Sequence, residues 1–190
     1  VLLLMSATTM VVGLMGAIAQ HDFRRVLSFN LVGHIGFTTV GLALQTPDGL
    51  AGSILYVLHH MLVISTLFLV SGVFLRQRRT TDLRLLGGVY RARPALACLV
   101  MVPLFSLAGM PPLSGFIAKV AVVGPMIGAG QYLLAGVSLT VSLLTLWSMA
   151  RLWEEAFWRP APSSAPASAS TDMPRPRVGA ATLAPIAFLV

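Results

Sequence analysis

Four side chains able to hold or pass a proton lie inside long apolar runs of this chain: His34, His59, His60 and Lys119. Lys119 is the only lysine. The other twelve basic residues are arginines, and they lie near the ends of apolar runs. A lone ammonium at membrane depth is costly, and residues of this kind by default mark a functional site. Burial disfavours the charged form of such a group, and imidazole titrates near neutral pH. A lysine and histidines at similar depth, bridged by water, therefore have the chemistry of a proton relay. The residues expected to carry it are Lys119, His34 and His60.

The neighbours of each group refine that expectation. Asn30 and Thr38 stand four residues to either side of His34, on the same helical face. Gly33 and Gly36 allow a second helix to approach beside it. The bland reading of His34 is a hydrogen bond between helices. His59 and His60 are consecutive, so they point about 100° apart on a helix. Tyr56 precedes His60 by four residues, and a bond along that face favours His60 as the relay member. Further along, Ser138, Ser142 and Thr145 share a face. They either bond carbonyls of their own helix or form a hydrated surface turned towards Lys119. Three histidines suggest a metal in principle, but no carboxylate or cysteine joins them at depth, so none is expected. No cofactor motif, nucleotide loop or nucleophile–base pair is present, and no cofactor is expected.

Lys119 follows Gly109-Met110-Pro111-Pro112 and Gly115 within an apolar segment of residues 95–127. As one helix, those residues would run ~50 Å, against a hydrocarbon core of ~30 Å. Two adjacent prolines remove two amide donors and clash with the preceding turn. The expectation is a broken helix: two halves joined by a short unwound link inside the membrane. Such a link is tolerated where protein or a water-filled cavity satisfies the freed backbone. The alternative is a single tilted helix, kinked at the prolines, with a re-entrant end.

The elements that must position these residues follow from composition. The chain has 190 residues, 56% of them apolar and 10% charged. Apolar runs of about 20 residues indicate spanning helices, and no alternation suited to a β-barrel is present. The expected fold is an all-α polytopic membrane protein with six transmembrane helices, at 1–19, 26–44, 50–75, 95–127, 132–153 and 178–190, the fourth broken at Gly109–Pro112. The loops alternate in charge. Those at 20–25, 76–94 and 154–177 are rich in arginine, and the two between them hold none. By the positive-inside rule, the arginine-rich loops are cytoplasmic. The net charge of +7 is thus topological, and nucleic-acid binding is not expected. All six acidic residues (Asp22, Asp48, Asp82, Glu154, Glu155 and Asp172) lie near helix ends.

Three further readings complete the organisation. Residues 1–158 form the transmembrane domain, 159–177 a Pro/Ala/Ser-rich disordered cytoplasmic linker, and 178–190 the start of a last span. Trp153, Phe157 and Trp158 are expected at the membrane interface as an aromatic belt. Cys98, the single cysteine, is expected to be a small apolar filler. The chain begins and stops within apolar runs, which suggests a piece of a longer protein whose remaining part completes any mechanism.

Three stretches carry a family resemblance. QHDFRRVLSFNLVGHIGF, LYVLHHMLVISTLFLVSG and LAGMPPLSGFIAK resemble, in this order and spacing, the motifs of antiporter-like membrane subunits. Such subunits occur in Mrp-type multisubunit cation/proton antiporters, respiratory complex I and membrane hydrogenases. The paired histidines, LFLVSG, the LGG before the broken helix and RLWEEAFW look most like the D-type subunits of Mrp antiporters. The M and N types of complex I are the runner-up. Ile64 stands where some relatives carry a lysine, which excludes a close match to the L type.

The resemblance implies a fourteen-helix fold with two inverted repeats, each containing a broken helix; this chain would hold most of the second. It implies that Lys119 exchanges protons with the outside and that His34 and His60 are relay histidines. The partner glutamate and lysines of the first repeat would lie upstream of Val1, so this piece alone should not be a competent antiporter. It further implies partners: other subunits of an antiporter complex, protons with Na+ or K+, and the lipid bilayer of a prokaryotic cell membrane.

Overall fold

A computed structural model describes residues 1–86 and 94–159. They form helices throughout. In chain order these are α1 (Leu2–Ala19), α2 (Phe23–Leu44), α3 (Pro47–Arg78), a single turn α4 (Leu83–Leu86), α5 (Pro94–Ala108), α6 (Ser114–Gly128) and α7 (Tyr132–Trp153). A π-helical turn, Glu154–Trp158, continues α7. Among the described residues, four helices are long and apolar enough to cross a membrane: Leu2–Ala19, Phe23–Leu44, Pro47–Arg76 and Tyr132–Trp158. α5 and α6 are shorter apolar helices. Five of the expected segments coincide with helices, the fourth as a broken pair of shorter ones. The expected linker 159–177, apart from Arg159, and the sixth span lie outside the described residues, with Arg175, Arg177 and Asp172, as do Arg91 and Arg93.

Local sequence explains where the helices begin and end. Asp22 caps α2 by accepting from the Arg24 and Arg25 amides at 3.0 and 3.2 Å. This satisfies donors that the first turn cannot pair internally. Thr46 caps α3 through the Gly49 amide, and Pro47 opens that helix where its missing N–H costs nothing. The Asp22 carboxylate also accepts from Thr81 Oγ1 at 2.6 Å, while Phe23 N–H donates to Thr81 O and Leu83 N–H to His21 O. The arginine-rich loop ends at 20–23 and 80–83 are thereby clasped together.

α1 and α2 form an antiparallel pair. α3 packs on α2, α5 and α6, and α7 on α1, α5 and α6. Two apolar clusters hold the bundle. One joins Phe23, Leu27, Leu67, Phe74, Leu104, Trp153 and others. The second joins Met10, Phe37, Tyr56, Val122, Met126 and Val141. On α2 the first cluster takes residues up to Leu27 and the second begins at Phe37, leaving Asn30 and His34 between them. On α3, His60 falls between Tyr56 and Val63 in the same way. The α5–α6 break falls between Ala108 and Ala118. The polar groups thus form a layer across the bundle between two apolar layers. The outward faces of the helices are apolar, with Leu4, Leu58, Ile117 and Leu143 exposed, as lipid contact requires.

Two expectations are corrected here. Trp153 and Phe157 are buried and stack with ring centroids 4.2 Å apart, so they belong to the core. Only Trp158, 68% exposed, has the exposure of a belt residue. Trp153 closes α7 and Phe157 stands four residues on, so the two share the helical face that packs into the first apolar cluster. Cys98 is exposed on α5 and does not fill the core.

Candidate functional site

The fourth apolar segment is broken as expected. α5 ends at Ala108, α6 starts at Ser114, and Pro111 and Pro112 lie in the link. Gly109 closes α5 in the left-handed region, with φ of 82°. That conformation strains any residue with a Cβ. A Cβ there would also lie 2.7 Å from the Lys119 Cδ.

Lys119, on the second turn of α6, is 7% exposed. Its ammonium donates to the Ala108 carbonyl at 2.7 Å. Ala108 is the last residue of α5, where carbonyls lack helical partners and the helix dipole presents partial negative charge. The break therefore supplies the group that stabilises the lysine, in addition to tolerating it. Lys119 Nζ also stands 5.8 Å from the centroid of the Phe37 ring, a cation–π distance.

Phe37 links the lysine to the histidines. Its ring centroid lies 5.9 Å from that of His34 and 5.4 Å from that of Tyr56. His34 and His60, both buried, stack with centroids 4.6 Å apart and planes 11° from parallel. Tyr56 shares a hydrogen bond with His34 Nδ1. The expected Tyr56–His60 bond along α3 is therefore corrected: the phenol crosses to α2, and Tyr56 meets His60 only as a stacked ring at 6.3 Å. Three ring nitrogens, His34 Nε2, His60 Nδ1 and His60 Nε2, are buried without a partner among the described residues. Buried polar atoms of this kind ordinarily hold water or a further polar group.

His59 turns away from this stack, as the 100° offset requires. Its Nδ1 lies 3.2 Å from Ser114 Oγ, and Ser114 Oγ lies 3.1 Å from Ser106 Oγ. His59 thus meets the helix break while His60 meets His34, so the paired histidines serve two places.

The other polar residues do not join the site. The Asn30 amide donates to Val26 O and the Thr38 hydroxyl to Ile35 O, both within α2. Ser142 and Thr145 donate to Ser138 O and Val141 O of their own helix. Ser138 lies against the sulfurs of Met10 and Met126, at 3.6 and 3.5 Å. Of the two readings of this α7 face, the own-helix bond is the one found for Ser142 and Thr145, while Ser138 faces sulfur. Sequence reasoning missed Phe37, Ser106, Ser114 and the Ala108 carbonyl. Phe37 stands three residues after His34, at a same-face spacing. Ser114 stands two residues after the proline pair, at a helix start. Ser106 and the carbonyl carry no sequence signal. Among the described residues, no cluster of side chains has the composition to hold a metal ion.

A profile of the family described as NADH:quinone oxidoreductase/Mrp antiporter, transmembrane, matches residues 1–145. The chain is similar to the D-type subunit of the Na(+)/H(+) antiporter of Alkalihalophilus pseudofirmus, 40% identical over 83% of this chain and 32% of that protein. It is 34% identical to NADH-quinone oxidoreductase subunit N 2 of Syntrophobacter fumaroxidans, over 75% of this chain and 31% of that one. Among solved structures, a chain of the Mrp complex from Dietzia sp. DQ12-45-1b superimposes with a TM-score of 0.86 and 31% identity, over 98% of this chain and 42% of that one. A chain of respiratory complex I from Thermus thermophilus with bound NADH shares the fold, at a TM-score of 0.82 and 23% identity, over 99% of this chain and 38% of that one. The chain spans about a third of the length of the curated relatives it matches.

Proposed function

The chain belongs to the NADH:quinone oxidoreductase/Mrp antiporter transmembrane family, and from that premise we propose that the protein it belongs to is a membrane subunit of a cation/proton antiporter. In this reading Lys119, His34 and His60 move protons across the polar layer, coupled to exchange of Na+ or K+. Lys119 is the site of exchange with the outside, and the stacked histidines hold the proton on its way to or from the lysine. The arginine-rich loop at 20–25 faces the cytoplasm of a prokaryotic cell, and the described helices form part of the second inverted repeat. Other subunits of a multisubunit membrane complex are the partners.

The observation that carries this reading is the lysine bonded to the open end of a broken helix, 2.7 Å from Ala108 O, within reach of Phe37 and its histidine neighbours. No function of simple packing calls for a lone ammonium there. The D-type relative, at 40% identity, favours the antiporter over the alternative, a proton-pumping subunit of an NADH:quinone oxidoreductase or membrane hydrogenase. Either way the chain is part of a transporter.

The test is Lys119→Ala in the complete complex, assayed for cation-dependent proton flux in inverted vesicles. Loss of a positioned proton-transfer group lowers rates by about a hundredfold or more. Full transport by a well-assembled Lys119→Ala complex would overturn the reading. Genes for other antiporter subunits beside this one, rather than genes for quinone-reducing subunits, would separate the two machines.

A further inference from the structure

We infer that His59 is a positioning residue for the helix break: its Nδ1 ends a hydrogen-bonded string that fixes the first turn of α6 against the last turn of α5, one turn from Lys119. The inference deepens the proton-exchange reading of Lys119 and rests on it.

The string has three links. The Gly115 N–H donates to Ser106 Oγ at 3.3 Å, Ser106 Oγ lies 3.1 Å from Ser114 Oγ, and Ser114 Oγ lies 3.2 Å from His59 Nδ1. A serine hydroxyl has one proton to give, and a neutral imidazole has one donor and one acceptor nitrogen. One orientation keeps both hydroxyl protons inside the string. Ser106, accepting from Gly115, gives its proton to Ser114. Ser114 gives its proton to His59 Nδ1, which accepts, so the imidazole proton sits on Nε2. A proton added at Nδ1 turns round the two links that run through Ser114, while the Gly115 N–H still donates to Ser106 Oγ. Ser106 Oγ then receives both Gly115 N–H and Ser114 O–H, and its own proton goes to an acceptor outside the string. A neutral His59 that accepts at Nδ1 is the form that closes the string on itself.

Packing leaves little slack around these links. A Cβ at Gly115 would collide with the Ser106 carbonyl and stand 3.0 Å from His59 Nε2. Gly115 and Lys119 are four residues apart on one face of α6, and Ser106 precedes Ala108 by two residues. The string and the Lys119–Ala108 bond are thus two ties between the same pair of helix ends. The string runs from buried Ser106 out to exposed Ser114 and half-buried His59, at the edge of the bundle. In an apolar surrounding such bonds have no water to compete with them. The titratable groups that interact with His59 are Lys119 of α6, His60 of its own helix and His34 of α2. None of them takes a place in the string.

The test uses the complete, purified complex and the variants His59→Ala, Ser114→Ala and His59→Asn. Spin labels at Val102→Cys and Ile117→Cys, on exposed positions of α5 and α6 and in a Cys98→Ala background because the native thiol is exposed, report the spacing across the break without reference to transport. Cation-dependent proton flux and its pH profile are measured alongside. His59→Ala and Ser114→Ala should each broaden the label distance and lower flux about five- to tenfold. The double variant should be no worse than either single one, since both break one string. His59→Asn puts an amide oxygen at the Nδ1 position, so it should recover the label distance, most of the flux and the wild-type pH profile.

An unchanged label distance in His59→Ala overturns the inference. So does a shifted pH profile in His59→Asn, because His59 would then carry the proton itself. If Lys119→Ala leaves transport intact while His59→Ala still shifts the labels, the reading of Lys119 fails and the positioning role stands.

Discussion

The imidazole of His60 lies flat against that of His34, centroids 4.6 Å apart and planes 11° from parallel, and Tyr56 holds His34 by a hydrogen bond at Nδ1. Two cationic imidazoles in that arrangement would repel, so the stack holds at most one added proton at a time. A carrier of single protons is what a relay requires. Replacing His60 with alanine should lower proton flux about tenfold or more, while the complex still assembles. His34→Ala should do the same, and the double variant should be no worse than the worse single one, because the stack acts as a unit. Flux in inverted vesicles, normalised to assembled complex, checks this.

Tyr56→Phe removes the phenol from His34 Nδ1 and leaves that buried nitrogen without its partner. The expected cost is about 1–3 kcal/mol of stability, read as a lower thermal midpoint of the detergent-purified complex. Transport should fall as well, since the ring of His34 loses the bond that orients it.

Gly109→Ala places a Cβ on a residue at φ 82°, and that atom would stand 2.7 Å from Lys119 Cδ. The backbone term alone costs roughly 1–2 kcal/mol. The lysine must also shift from Ala108 O. Transport should drop more steeply than stability, and comparing flux with the thermal midpoint separates the two effects.

Asp22→Ala removes the cap of α2 and the bond to Thr81 Oγ1 together. Loss of a cap costs about 0.5–2 kcal/mol, and the clasp to Thr81 adds to it. Asp22→Asn keeps an acceptor for the Arg24 and Arg25 amides and should recover most of the loss. Since the clasp is remote from the polar layer, the pH profile of transport should not move in either variant.

Much of this was legible beforehand, and for physical reasons. Long apolar runs announce spanning helices because lipid leaves the backbone no other means of satisfying itself. Five of the six expected segments coincide with helices within a few residues, since Asp22, Thr46 and Pro47 are local signals that act without the rest of the fold. Pro111 and Pro112 announced the break for the same local reason. The sixth segment lies outside the described residues. Roles that depend on which neighbour a side chain meets were misread. Tyr56 bonds across to α2 rather than along α3, and Trp153 and Phe157 pack inside; for Ser142 and Thr145 the own-helix bond, one of the two readings the sequence offered, is the one found.

The sequence by itself determined the class of element, the position of the break, and the few side chains able to carry a proton. Each follows from composition or from bonds spanning a few residues. Only the tertiary structure decided which of them meet. It turned His60 to His34 and His59 to Ser114, and it brought the Ala108 carbonyl to the ammonium of Lys119. Those contacts depend on how helices far apart in the chain cross and rotate against one another, and that is set by packing over whole faces rather than by the residues at the site.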